Sequence, residues 1–261
     1  MRTYLNLFHF SFLTILAYPY ELLITVIEPV IEIGFLALFW NMIATHADKP
    51  VDLVNLITYF IMVQFVSIWS LTPGGLGFVN FIGYRIKTGE LSRVLIRPLK
   101  VLPSLLAEHR GYYAVDMIFS VTMLAAVFFL MGNIAISQIV WFLIFLFFSF
   151  VITFSICILI GSIAFITKEI NSIRHSISHL IRILSGSMVP LTFFPEQTRD
   201  LLYLTPFPSM MFMPINVLQN KLPPYEILTF LTISVFWSII LMSFALLVWK
   251  INLKKYEAVG I

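Results

Sequence analysis

Long stretches without a charged residue constrain the fold of this chain more than any other feature of its sequence. No Asp, Glu, Lys or Arg occurs within residues 53–84, 117–167 or 227–249. A helix crosses the ~30 Å hydrocarbon core of a bilayer with ~20 apolar residues, so the middle stretch is long enough for two crossings. The alternation of a membrane β-barrel is missing. We therefore expect an all-α integral membrane protein, a single domain over residues 1–261, with six spans near 22–44, 53–72, 112–131, 138–166, 176–194 and 227–249.

The Lys and Arg residues are distributed unevenly between the gaps that separate these stretches. Thirteen of the sixteen lie before the first stretch, between the second and third, around the start of the fifth, or after the sixth. Basic residues are retained on the cytoplasmic side during membrane insertion. The distribution predicts that both termini are cytoplasmic, and it marks the basic segment 80–111 as a cytoplasmic loop suited to a partner. The net charge of +3 follows from this topology and does not indicate binding to nucleic acid.

The N-terminal residues 1–19 carry a separate amphipathic pattern. Leu5 and Phe8 belong to an apolar set at helical spacing, whereas His9 falls on another face. Pro19, between two tyrosines, predicts a break at the membrane interface. We expect an interfacial helix that turns at Pro19 into the first span. The alternative is that the first span simply starts earlier.

The predicted end of the second span is rich in residues that weaken helices. Residues 73–77 contain one Pro and three Gly. A hinge and an ordinary loop are both compatible with this composition of segment 71–77.

The basic loop contains a short amphipathic segment between Glu90 and Arg97. Leu91, Val94 and Leu95 are expected on one face of a helical turn or two, and Pro98 is expected to end it. Apolar side chains with a basic rim suit docking into a groove of a soluble protein. The alternative is a basic loop that contacts anionic lipid.

Segment 190–226 lies outside by this topology, yet it is apolar and rich in proline. Residues 196–204 and Phe207–Leu218 are each expected to form a short helix. Irregular backbone at membrane depth must be buried in protein or line a wet cavity. We therefore interpret the segment as re-entrant and as a candidate outer gate, with Pro190, Phe194, Pro195, Pro206, Phe207 and Pro214 as its candidate residues.

Ionisable residues inside a predicted span indicate a functional site. Glu21, Thr25, Glu28 and Glu32 of the first span are spaced by four, three and four residues and so share one helical face. Glu28 and Glu32 either line the cavity and attract cationic amphiphiles, or they pair with a basic residue on a neighbouring helix or are protonated.

The fifth stretch supplies a possible partner for these carboxylates. His175, His179 and Arg182 form a polar stripe near its cytoplasmic end, and we assign His179 and Arg182 to the translocation path or to intramembrane pairing. Two histidines one turn apart suit a metal, but no third ligand has matching spacing. No metal site is expected.

These elements together resemble the membrane subunit of type-2 ATP-binding-cassette (ABC) exporters, in the branch with paired six-span permeases beside one ATPase gene. The resemblance is carried by Gly89-Glu90-Leu91, by Leu95-Ile96-Arg97-Pro98, by Pro190–Pro195 and by the C-terminal residues 256–260. Further matches are Pro206-Phe207 and Pro214. Gln219-Asn220 departs from the pattern, since a glycine is expected there.

The resemblance implies a division of labour between chains. Two permeases, identical or paralogous, would pair in the bacterial cytoplasmic membrane, and each would place a coupling helix in a cleft of one of two ATPase subunits. The connector helix would be residues 4–19. The coupling element maps to Arg85, Lys87, Gly89, Glu90, Leu91, Arg93, Leu95, Arg97 and Pro98.

No phosphate-binding loop of the Gly-x-x-x-x-Gly-Lys-Ser/Thr type occurs in the chain. We therefore expect no catalytic residue and no cofactor on this chain, with ATP and Mg bound by the partner ATPase. The chain would be a transport subunit of an ATP-hydrolysing translocase rather than an enzyme by itself.

The leading hypothesis is an exporter permease whose substrate is a hydrophobic or cationic amphiphilic compound. A proton-coupled secondary transporter or channel that uses Glu28 and Glu32 is the alternative, because buried carboxylates can carry protons.

Overall fold

The structure is a computed structural model that describes residues 2–46, 52–71, 73–132, 134–167 and 170–256, apart from the side chains of 73–75. All regular structure in these residues is helical, which confirms the predicted all-α class. Thr72 of the proposed hinge and residues 257–260 of the C-terminal pattern lie outside the described residues.

The described part of the chain contains thirteen α-helices and two short 3-10 turns, the latter at Ile163–Phe165 and Leu191–Phe193. The helices are α1 (Arg2–Leu16), α2 (Pro19–His46), α3 (Leu53–Trp69), α4 (Pro73–Lys87), α5 (Leu91–Ile96), α6 (Val101–Tyr112), α7 (Ala114–Met131), α8 (Ile136–Ser162), α9 (Asn171–Leu184), α10 (Glu196–Tyr203), α11 (Phe207–Met210), α12 (Phe212–Leu218) and α13 (Pro224–Lys254).

Four of these helices are long and apolar enough to cross a bilayer. They are α2, α7, α13 and α8 with its 3-10 extension, which coincide with the predicted first, third, sixth and fourth spans. Helix α3, the predicted second span, is apolar but has only 17 residues.

The fifth predicted span, 176–194, is not one continuous helix. Helix α9 has 14 residues, or ~21 Å of axial length, which is shorter than the hydrocarbon core. It ends before Gly186, which has a positive φ of 88°. The buried Tyr59 hydroxyl donates a hydrogen bond of 2.7 Å to the Gly186 carbonyl. The chain therefore turns where the apolar pattern alone predicts continuation.

Most of the basic segment 80–111 is helical rather than an extended loop. Phe78, Val79 and Ile82 of α4 are fully buried, and α4 packs against α8 and α9. The chain bends between α3 and α4, where Leu71 has a φ of 71°, and Leu76 has a φ of 65°. Such values are uncommon outside glycine.

Helix α1 is separate from α2 and packs along α6. The contact depends on Gly111, because a Cβ atom there would lie 2.3 Å from the Phe8 carbonyl oxygen. The chain breaks before α2, which begins at Pro19, so the first candidate span does not start earlier.

Segment 190–226 folds back into the protein. Helix α10 matches the expected helix 196–204, whereas the helix expected over Phe207–Leu218 is divided at Met211 into α11 and α12. Every residue of α12 is buried, and α11 and α12 both pack against α8. Ser149 of α8 donates a hydrogen bond to the Met210 carbonyl. Asn220 has a φ of 55°, and Asn tolerates this left-handed conformation in place of the expected glycine.

Candidate cavity and ionic contacts

A cavity of about 1340 Å³ is lined by residues of α2, α3, α4, α6, α7 and α9. The acidic face of α2 forms one wall, because Glu21, Thr25, Glu28 and Glu32 all line it. The four side chains, which their spacing places on one helical face, therefore lie on the same cavity wall in the folded protein.

Glu32 is held from two sides inside this cavity. Its Oε1 accepts from Arg182 Nη2 of α9, and its Oε2 accepts from Gln64 Nε2 of α3 at 2.6 Å. The Ser187 hydroxyl donates to the Arg182 carbonyl at 3.1 Å, beyond the end of α9. Both carboxylate oxygens of Glu32 are thus engaged, and the consecutive helices α2 and α3 are joined to the distant α9. This geometry matches the pairing interpretation for Glu32.

Glu28 lies one turn earlier and has a different environment. Its side chain is exposed to the cavity, and no ion pair to it occurs among the described residues. Asp116 of α7 also lines the cavity, and α7 packs against α2. Asp116 therefore lines the same cavity as the acidic face of α2.

His179 does not join these groups. It lies on an exposed face of α9 and is absent from the described residues that line the cavity. The helical stripe that contains His175, His179 and Arg182 is thus only partly directed inward. No group of three or more His, Cys, Asp or Glu side chains among the described residues is placed to hold a metal ion.

A second ionic cluster lies beside α5 and is centred on Glu108 of α6. Glu108 Oε2 lies 2.7 Å from Arg85 Nη2, and Glu108 Oε1 lies 3.3 Å from Arg97 Nη1. Arg85 Nη1 also lies 3.8 Å from Glu90 Oε2. The Glu108 side chain is only 8% exposed, so its charge depends on these arginines. The sequence analysis does not identify Glu108. The feature that could have indicated it is the position of an acidic residue between the basic residues Arg97 and Arg110.

Helix α5 forms where the sequence predicts it, but its apolar face is directed differently. Leu91 and Val94 are buried in the core of the chain itself, so they are not free to dock on a partner. Leu95 and Ile96 are instead 40% and 85% exposed. In a helix of six residues that lies between two packed helices, the side chains at positions i and i+3 face the protein core. The two residues that follow them remain exposed. Other exposed residues of the predicted coupling element are Lys87, Arg93, Arg97 and Pro98.

Gly89 precedes α5 with a φ of 76°. Only glycine adopts this conformation without strain, which explains the glycine of the Gly-Glu-Leu pattern. The turn brings Glu90 to the cavity, where it and Arg85 are both lining residues.

Two neighbouring residues of α6 carry polar groups inside the protein, His109 buried and Arg110 half-buried. Arg110 donates to the carbonyls of Ile68 and Trp69 at 2.6 and 2.5 Å and so caps the C-terminal end of α3. Burial lowers the pKa of Arg110 to about 10, which leaves it charged near neutral pH. Burial, and secondly the charge of Arg110, lowers the pKa of His109 to about 3, so its imidazole is neutral.

Comparison with known proteins identifies the class of chain that carries these features. A family model described as ABC-2 family transporter protein matches residues 49–260. The chain belongs to the ABC-2 transporter family. A search of curated proteins gives no match. The family assignment confirms the resemblance that the sequence motifs indicate.

Membership of the ABC-2 family makes the chain a permease, which is a membrane subunit for transport and not itself the ATPase. The family implies association with an ABC ATPase. It also gives the apolar helices α2, α7, α8 and α13 their role as membrane helices.

The predicted gate residues of this ABC-2 permease are divided between two parts of its core. Pro190, Pro206 and Pro214 are buried, and Phe194 and Phe207 are half-buried. Phe194 packs against a second, smaller cluster that contains Leu191, and Phe207 packs against the main core. Pro195 is exposed. None of the six belongs to the described residues that line the cavity.

Proposed function

We propose that this chain is the permease subunit of an ATP-driven exporter and forms the transport path together with a second permease, identical or paralogous. Two copies of a separate ATPase, which binds ATP and Mg, would dock through residues 85–98. The protein would lie in the bacterial cytoplasmic membrane with six spans and both termini in the cytoplasm. Its substrate would be a hydrophobic or cationic amphiphilic compound.

The observation that carries this proposal is the ionic connection between the coupling element and the cavity. Arg85 contacts both Glu90 and Glu108, and Arg85 and Glu90 line the cavity themselves. A displacement of α5 by an ATPase would therefore move charged groups at the cavity wall. Leu95 and Ile96 offer the exposed apolar surface of α5 for that contact.

The exposed apolar face of α2 supports a path shared with a second permease. Ile24, Ile27, Ile31 and Phe35 line the cavity and are also exposed. Helix α2 buries only Ile33, Leu36, Ala37 and Ala44 within the described structure. A cavity with one such wall is completed when another permease packs along α2. Carboxylates and aromatic rings in the same cavity favour a cationic amphiphile.

The coupling contact is tested by co-purification from native membranes with matched variants. Ile96→Asp places a charge on the exposed end of α5, and Ile136→Asp does the same at the 80% exposed start of α8. We expect the tagged wild type and Ile136→Asp to retain an ATPase with a phosphate-binding loop, identified by mass spectrometry, and Ile96→Asp to lose it. Equal retention by both variants, or the absence of any ATPase from the wild type, would overturn the proposed coupling.

A further inference from the structure

The acidic residues of the cavity fall into groups with different partners. Glu32 is neutralised by Arg182 and bonded to Gln64. Glu90 lies 3.8 Å from Arg85. Glu28 and Asp116, by contrast, form no ion pair with any described residue. Two neighbouring carboxylates without a cation are unfavourable unless a cation or water reaches them.

The surroundings of this carboxylate pair contain a second unsatisfied polar group. His109 is 1% exposed and lines the cavity, and neither of its ring nitrogens has a hydrogen-bond partner among the described residues. Buried polar atoms are nearly always satisfied, so a missing partner indicates a ligand or water at this place. The neutral imidazole offers a lone pair and does not repel a cation.

Aromatic rings form the wall next to these polar groups. The His109 ring packs 4.6 Å from that of Tyr113 and 5.5 Å from that of Phe81, measured between centroids. The Tyr113 hydroxyl lies over Gly77, where a Cβ atom would be 2.9 Å from it. Glu28 and Asp116 line the same cavity as this ring, and the helices that carry them, α2 and α7, pack against each other.

The cations of the facing helix α9 do not neutralise both of these carboxylates. Arg182 is engaged by Glu32. Arg174 Nη2 lies 2.6 Å from His175 Nε2, and no ion pair between Arg174 and either Glu28 or Asp116 occurs among the described residues. Its single positive charge offsets at most one of the two carboxylates. Negative charge therefore remains beside an aromatic wall, which is the combination that binds organic ammonium and phosphonium groups.

We propose that Glu28 and Asp116 form the subsite for the positive charge of an organic cation, with Tyr113, Phe81 and His109 as its wall. That the bound cation is the transported substrate rests on the proposed export function. It replaces Glu32 by Asp116 as the partner of Glu28 in recognition, because Glu32 already holds Arg182. Glu32 then positions the cavity wall rather than touching the charge of the cargo.

The test uses two probes of equal shape and opposite charge, tetraphenylphosphonium and tetraphenylborate, with the full chain in lipid nanodiscs. Binding is measured by equilibrium dialysis against empty nanodiscs. We expect tetraphenylphosphonium to bind at least about tenfold more tightly than tetraphenylborate, and Glu28→Gln and Asp116→Asn each to weaken it by about tenfold. Glu21→Gln, which removes a carboxylate of the same cavity, should change binding by less than about twofold.

The proposal is overturned if Glu21→Gln weakens binding as much as the other variants, or if both neutral variants bind as the wild type does. A measurement on the wild type avoids variants that fail to fold. Tetraphenylphosphonium should protect Glu28 and Asp116 from carbodiimide modification and leave Glu21 reactive. Equal modification of all three sites in the presence of the probe would contradict the subsite.

This result is separable from the proposed function because binding is measured without an ATPase. If cations bind at Glu28 and Asp116 but no ATPase co-purifies, the proposed exporter function is rejected and the proposed subsite is retained. If an ATPase co-purifies but the chain binds tetraphenylphosphonium and tetraphenylborate equally, the proposed subsite is rejected and the proposed exporter function is retained.

Discussion

Glu32 and Arg182 form an ion pair between α2 and α9 that joins residues 150 positions apart in the sequence. The side chains are 31% and 36% exposed, so water and salt reduce the strength of the pair. The main effect of the pair is to fix the relative positions of helices. Gln64 of α3 bonds to the same carboxylate, so α3 is held together with α2 and α9. The pair fixes how α2 lies relative to the end of α9, where the expected fifth span is interrupted.

Exchange of the two charges tests the pairing of Glu32 with Arg182. We expect Arg182→Glu alone to lower the melting temperature, because two carboxylates then face each other, and Glu32→Arg combined with Arg182→Glu to recover most of the loss. A coupling energy of ~1 kcal/mol is expected from the double-mutant cycle. Thermal unfolding followed by intrinsic fluorescence measures it, and additive effects of the two changes would show that the side chains do not interact.

Removal of the Glu108 carboxylate leaves Arg85 without its closest anionic partner. We expect Glu108→Gln to destabilise the protein by ~3 kcal/mol, because the site is largely buried. Glu196→Gln, at the exposed start of α10, is the control and should change stability by less than ~0.5 kcal/mol. Thermal unfolding of both variants in the same detergent gives the comparison. Similar melting temperatures for the two would mean that the cluster does not hold α4, α5 and α6 together.

The packing of α1 on α6 depends on the absence of a side chain at residue 111. Gly111→Ala places a Cβ atom 2.3 Å from the Phe8 carbonyl oxygen, so the two helices must separate at a cost of ~1–3 kcal/mol. Gly34→Ala is a matched control, since nothing lies within 4 Å of the added atom. Limited proteolysis should cleave α1 faster in Gly111→Ala only. Equal cleavage rates would contradict the close contact.

The buried His109 predicts a loss of stability on acidification. Its pKa is about 3 in the folded protein against an unfolded value near 6.5, so the unfolded chain takes up the proton first. Stability from this group is therefore complete above the unfolded pKa and is lost as the pH falls toward the folded pKa. We expect the wild type to lose ~1.4 kcal/mol more than His109→Phe between about pH 7.5 and about pH 5.5. Parallel pH profiles of thermal stability would show that folding does not lower the pKa of His109.

Much of the helical framework can be predicted from the sequence because uncharged apolar runs have few alternatives to membrane helices. The acidic face of α2 is also predictable, since Glu28 and Glu32 follow helical spacing. The exposed and buried sides of α5 are less predictable: Leu91 and Leu95 lie one turn apart, yet only Leu91 is buried. Which side of so short a helix is covered depends on α4 and α6.

The partners of the charged groups are not readable from local patterns. Nothing in the sequence near Glu108 specifies Arg85, and nothing near Glu28 places Asp116 on the same cavity, because both arrangements depend on how separate helices pack. The end of α9 likewise depends on the hydrogen bond from the distant Tyr59 to Gly186. An apolar pattern contains no information about such a tertiary contact.

The most direct test of the account is the energy source for transport in proteoliposomes. The purified chain is reconstituted with and without its co-purified ATPase, and uptake of tetraphenylphosphonium in excess of that by protein-free liposomes is measured with ATP or with a proton gradient. The account predicts uptake only when both ATPase and ATP are present, and its loss when the phosphate-binding lysine of the ATPase is replaced. Uptake by the chain alone under a proton gradient, without ATP, would contradict it.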